Sequence, residues 1–170
     1  MYDKYLPLVC LVAACSSDME PPVADPCAVK PVVAGGTAEL GLGSAFMPVS
    51  DGQDVEVQLG IQGLWMFVVN ARARDMDVGS GDREGVVDLT ALDQNGAQVS
   101  LAVGCRVREF AQTNDGHLEL TSAFLLPLLP SVTPVLDGAA ITIHLEIRDD
   151  EGHRATDERS VVAHLPVQGR

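Results

Sequence analysis

The stretch Gly60-Ile61-Gln62-Gly63-Leu64-Trp65-Met66-Phe67-Val68-Val69-Asn70-Ala71-Arg72-Ala73 decides how this chain folds. Its two glycines mark a tight turn that feeds one long run with the period of a β-strand. Odd positions, from Trp65 through Phe67, Val69 and Ala71 to Ala73, form an unbroken apolar face. Even positions begin apolar at Leu64, Met66 and Val68 and then turn polar at Asn70, Arg72 and Arg74. A strand that is apolar on both sides at one end needs cover on both sides there. That cover comes either from the chain itself or from something that binds it.

The rest of the chain reads as shorter runs of the same kind. Ile141 to Arg148 is the cleanest, with Ile141, Ile143, Leu145 and Ile147 inward and Thr142, His144, Glu146 and Arg148 outward. Val86 to Leu92 and Gln98 to Arg108 flank Asn95-Gly96, the sharpest hairpin signal of the sequence. Glu39 to Val49 reads as a broken strand or pair. Asp54 to Leu59 puts Val55, Val57 and Leu59 inward, and His117 to Leu126 puts Leu118, Leu120 and Phe124 on one side. A last strand covers Ser160 to Val167, after the turn Asp149-Asp150-Glu151-Gly152. No stretch carries a sustained helical stripe with caps. Seven to nine short strands between regular turns predict an all-β fold, a single antiparallel immunoglobulin-like β-sandwich over residues 37–170.

Composition narrows the partners. The 170 residues leave room for one domain with a real core. With 11 Lys and Arg against 24 Asp and Glu, the formal charge is −13. No basic footprint is present to displace the counterions of a polyanion, which argues against nucleic acid. A solvated envelope or secreted surface fits the charge better.

The N-terminus supplies an address. Leu6 to Ala14 is an apolar run too short to cross a bilayer as a helix but suited to the core of a signal peptide. It ends in Leu11-Val12-Ala13-Ala14-Cys15 and gives way to Ser16-Ser17-Asp18-Met19-Glu20-Pro21-Pro22. This resembles the lipobox of bacterial lipoproteins, with Val12 where Leu is commoner. The resemblance implies cleavage after Ala14 and acylation of Cys15, so that residues 1–14 are a signal peptide. Residues 15–36, rich in Pro, Ala and acidic groups, read as a flexible tether. The expected address is export with a lipid anchor in a bacterial membrane, at the outer membrane facing the periplasm or at the cell surface. Cys10 leaves with the signal and Cys15 is acylated, so Cys27 and Cys105 remain for a disulfide in an oxidising compartment. The parity of Val99, Leu101, Val103 and Val107 points Cys105 inward; the alternative is a pair of unlinked small hydrophobes.

A second likeness is more local. Gly60, Gln62 and Gly63 match a Gly-Pro-Gln-Gly-Gly-x-His element that resembles one in uncharacterised bacterial lipoproteins with a sandwich domain. Ile61, Leu64 and Met66 stand where that element has Pro, Gly and His. The resemblance implies location and fold and no activity.

Three chemistries remain to be weighed. The loop Asp75-Met76-Asp77-Val78-Gly79-Ser80-Gly81-Asp82-Arg83-Glu84 offers Asp75, Asp77, Asp82 and Glu84 to a hard cation such as Ca²⁺. Its spacing fails the EF-hand pattern, and a solvated connection explains it more simply. His144 and His153 flank one turn and could approach each other, with Met47, Met66 or Met76 completing a soft copper-type site. No pair of histidines has tight ligand spacing. No G-x-S-x-G is present, and Ser80 has no base readable nearby, so no catalytic residue is assigned. Leu64, Met66, Val68, Leu125 and Leu126 are the candidates for an apolar partner site, in an envelope protein that binds another. The expected function is a membrane-anchored, non-catalytic binding or structural module, with metal binding as the alternative.

Overall fold

A computed structural model describes residues 25, 27–28, 31–78 and 84–166. The described chain forms thirteen strands: β1 Val33–Ala34, β2 Thr37–Leu42, β3 Met47–Pro48, β4 Gln53–Glu56, β5 Gln58–Leu59, β6 Trp65–Arg74 and β7 Gly85–Asp93, then β8 Val103–Arg108, β9 Phe110–Gln112, β10 Leu118–Leu120, β11 Phe124–Pro127, β12 Ala139–Arg148 and β13 His153–His164. A short 3-10 helix, Pro130–Val135, precedes β12. Sheet A has the order β1-β13-β12-β7-β8, with β4 also on β13. Sheet B has the order β3-β2-β6-β10-β9, with β5 and β11 also on β6. The protein is therefore an all-β, two-sheet sandwich, as its alternation predicts. Pairing is antiparallel except at the outer edge of β13, where β1 and β4 both run parallel to it.

One core fills the space between the sheets. From sheet A it takes Val87, Leu89, Ile141, Ile143, Leu145, Ile147 and Val161; from sheet B, Leu40, Phe67, Val69, Ala71, Phe124 and Leu126. Each fully buried Val, Leu, Ile or Phe stabilises the fold by about 1.5–3 kcal/mol relative to exposure. Trp65 is only half-buried at the margin of this core. The antibody arrangement of a buried Trp against an inter-sheet disulfide is thus not what fills it.

The hairpin of β12 and β13 shows how local sequence sets register. Gly152 takes φ 92°, a left-handed value that suits glycine. Asp149 Oδ1 then accepts the backbone N–H groups of Glu151 and His153, at 3.0 and 2.8 Å. The turn so closed pairs Ile147 with Ala155 and keeps every inward residue of β12 in phase. At Asp93 the same chemistry recurs. Its carboxylate accepts N–H from Ala97 and Asn95, at 2.8 Å each, and these bonds hold it below the usual carboxylate range. Gly96 adopts φ 78°, so the Asn-Gly hairpin closes as expected.

The structure departs from three expectations. Leu59 stands opposite Trp65 at the open end of sheet B and stays 55% exposed instead of facing inward. The single run over His117 to Leu126 is two strands, β10 and β11, each paired with β6. Cys105 is half-buried in a left-handed backbone, φ 49°, beside a register shift between Val87 and Leu89, so the parity that pointed it inward is broken.

Candidate functional site

Cys27 and Cys105 are joined, with Cα atoms 5.6 Å apart across 78 positions of sequence. The left-handed turn at Cys105 is held by its own N–H, which donates to Asp88 Oδ1 at 2.6 Å. Asp88 Oδ2 in turn accepts from Arg148 Nη2 at 2.6 Å. Because β8 is one edge of sheet A and β1 the other, the five residues between Cys27 and Val33 link opposite edges of that sheet. Four strand spacings amount to about 19 Å, close to the reach of so short a segment. At its far end Val33 donates its N–H to the Gly152 carbonyl at 2.9 Å. Residues 27–36, assigned by sequence to the tether, are therefore fastened to the sandwich at both Cys27 and β1. Cys15 and the lipobox lie outside the described residues.

The β12–β13 turn is a polar node. The Asp149 side chain is wholly buried. Besides the two turn N–H groups, it accepts the Asp77 N–H at 3.0 Å and lies 2.8 Å from His153 Nδ1. One carboxylate thus ties the end of sheet B's central strand to the hairpin of sheet A, with four partners that offset its burial. On the neighbouring flank Asp157 Oδ2 accepts the Leu40 N–H at 2.7 Å, a bond between the two sheets where neither edge has a strand partner. Neither carboxylate was singled out from sequence, since an acidic group in a turn or on a strand reads as solvated.

The candidate metal ligands do not gather. Asp75 is exposed with φ 56°, Asp77 is half-buried, Glu84 is exposed, and Asp82 lies outside the described residues. Among the described residues, no group of three or more His, Cys, Asp or Glu is placed to hold a metal ion. The histidines stand apart, each beside a carboxylate. His117 Nδ1 is 3.1 Å from Asp115, His144 Nε2 is 2.9 Å from Glu158, and His164 Nε2 is 2.8 Å from Asp54. His144 and His153 do not meet. His144 pairs with Glu158, five positions along β13 from His153, or about 16 Å. Met76 and Met66 are buried and Met47 is on the surface, so the methionines do not converge either.

The five apolar candidates separate into buried and open. Leu126 is 0% exposed and belongs to the core. Met66 is buried on the outer face of β6, where a Cβ at Gly60 would overlap its methyl group. Leu64 and Val68 are half-buried, and Leu125 is 56% exposed. Val68 and Leu125 are direct cross-strand neighbours. Met47 and Val68 also line a shallow groove of about 230 Å³ whose rim carries Asp54 and Glu56. What the sequence assigned to one patch is in fact a short apolar row, Val68 and Leu125, beside that groove.

No family model, curated protein or solved structure matches the chain.

Proposed function

We propose that the chain is an exported, lipid-anchored bacterial envelope protein whose sandwich serves as a non-catalytic binding or structural module. Cys15 carries the lipid, and the sandwich is displayed from it. The Cys27–Cys105 bridge carries this reading. A half-exposed disulfide persists in an oxidising compartment, and export is what the leader and lipobox-like segment call for. Two acyl-bearing positions on one N-terminal Cys make such anchoring stable, where a single chain is marginal. The Val68–Leu125 row and the acidic groove beside it supply a surface for protein contact.

Globomycin treatment and Cys15→Ser test the anchor. The drug should accumulate a larger precursor, and the variant should leave the membrane fraction or stall as precursor. If neither changes processing or fractionation, the anchored reading is wrong.

A further inference from the structure

The two ends of the sandwich differ in kind. At the near end the chain enters: β1 pairs with His153, Val33 bonds Gly152, and Asp149 joins the hairpin to Asp77. At the far end lie the Gly60–Gly63 turn, the Asp93–Ala97 loop and the 3-10 helix. They are brought level by Leu128 N–H to Trp65 O and Leu129 N–H to Val99 O, both 2.8 Å, and by Val99 N–H to Ala91 O at 2.9 Å.

Both halves are net acidic, but the described cations divide along the same axis. The far half, residues 43–69, 91–101, 125–142 and 160–166, holds Asp51, Asp54, Glu56, Asp93 and Asp137 and neither a Lys nor an Arg. Arg72, Arg74, Arg106, Arg108, Arg148 and Arg154 all belong to the near half, with Arg159 at the midpoint. Lys4, Lys30, Arg83 and Arg170 lie outside the described residues.

The far end also presents apolar groups. Ile61 is 105% exposed, Val135 73% and Leu59 55%. Ile61 is held out on a closed turn: Gly60 N–H donates to Leu64 O and Gly63 N–H to Gly60 O, at 2.9 Å each. Gly63 takes φ 76°, and Met66 packs beneath Gly60. A fixed turn presents its side chain with little entropy left to lose on binding.

We propose that this far end docks a partner protein that offers Ile61 an apolar pocket inside a rim of Lys and Arg. The proposal rests on the anchored-module reading and names that module's contact surface and the charge of its partner. Complementarity decides the occupant. A surface with five carboxylates, two of them shared by His164, and no described Lys or Arg selects a basic partner and speeds its encounter. A bilayer is the poorer fit, because anionic headgroups repel the same carboxylates.

The test is photo-crosslinking in the intact envelope, with the full chain carrying a benzophenone amino acid at the exposed Gln62, or at Asn114 near the opposite end. Position 62 should give one discrete protein adduct and position 114 none. Ile61→Asp and, separately, Glu56→Lys should each reduce that adduct at least roughly tenfold. Both side chains are exposed, so a variant that unfolds leaves the other to decide. The partner peptide recovered from the adduct should contain Lys or Arg. Equal adducts from both positions, an adduct indifferent to both substitutions, or flotation of the chain with phosphatidylglycerol vesicles through Ile61 would each overturn the proposal. Fractionation of the same cells separates the two readings: a released chain condemns the anchor, while the crosslinks still decide the tip.

Discussion

Strands β6 and β12 are both ten residues long and both central to their sheets, yet they meet solvent differently. The outer face of β12 is a ladder of paired polar groups. The Thr142 and Ser160 hydroxyls are 2.9 Å apart, His144 faces Glu158, Glu146 pairs with Arg154, and Arg148 bonds Asp88. The outer face of β6 is roofed by its own chain. Phe46 lies over Gly41, the cross-strand neighbour of Asn70, and stacks 4.1 Å from the Arg72 guanidinium. The Gly60 turn covers Met66. A strand apolar on both sides is therefore not by itself the mark of a partner. Here two loops of the same chain supply most of the cover, and Val68 beside Leu125 is left half-open.

The inner faces, by contrast, should behave alike. Phe67→Ala in β6 and Ile143→Ala in β12 each empty a site that is at most 1% exposed. Phe67→Ala should cost about 3–5 kcal/mol and Ile143→Ala about 2–5 kcal/mol by chemical unfolding, the largest effects expected of any single change. A cost at Phe67 less than half that at Ile143 would break the picture of one core shared equally by both sheets. Next in size comes Cys27→Ala, which cuts the fastening of the N-terminal segment to the edge of sheet A. The bridge closes a span of 78 positions, so its loss should cost about 2–4 kcal/mol, checked by thermal unfolding against the oxidised parent.

How much of this was readable in advance follows from where each signal lives. Ile141 to Ile147 announced both their strand and their facing, because alternation over four inward residues has one physical reading. The pairing of Cys27 with Cys105 was legible by elimination, although the inward facing of Cys105 was not. That failed because a single left-handed residue breaks parity without leaving a mark in the sequence. Leu126 was misplaced for the opposite reason: in Phe124 to Pro130 nearly every residue is apolar, so period carries no information. Asp149 and Asp157 were invisible. Their partners, Asp77 and Leu40, are 72 and 117 positions away, and only the packed sheets bring them together. The turn at Gly60 to Gly63 was legible from its glycines, but the full exposure of Ile61 on it was not.

The roof over β6 can be tested directly. Gly60→Ala places a methyl group where Met66 ends, so the side chain must move or the turn must lift. The expected cost is about 1–3 kcal/mol. Because the obstruction is the far end of a flexible side chain, Met66→Ala in the same molecule should recover part of it. A double-mutant cycle by urea unfolding would measure that coupling. Additive losses would mean that the turn does not rest on Met66, and the contrast between the two outer faces would lose half its basis. Leu125→Ser, on the uncovered part of the same face, should change stability by no more than about 0.5 kcal/mol.

The smallest expected effect concerns the paired polar face and its reach to the far end. His164 ends β13, and its Nε2 lies 2.8 Å from Asp54 Oδ1 on β4, with Nδ1 3.4 Å from Asp137 Oδ1. The Asp54 carboxylate first, and Asp137 after it, raise the His164 pKa above its ordinary 6.5. A group whose folded pKa is raised binds its proton more tightly in the native state than in the unfolded one. Its contribution is therefore complete below about pH 6.5 and is lost as pH rises through the higher folded value. Melting temperature should accordingly fall slightly across that window, and Asp54→Asn should flatten the fall. The carboxylate pairs predict the reverse slope at acid pH. The Thr113 hydroxyl and then His117 hold Asp115 well below the carboxylate range, so the stability it confers is present above pH 3.8 and fades only under stronger acid. Proton-resolved titration of His164 in the native chain and in Asp54→Asn separates this from a general charge effect, since net repulsion at −13 would move all four histidines together. A shift confined to His164 is what a local clamp between β4 and β13 requires.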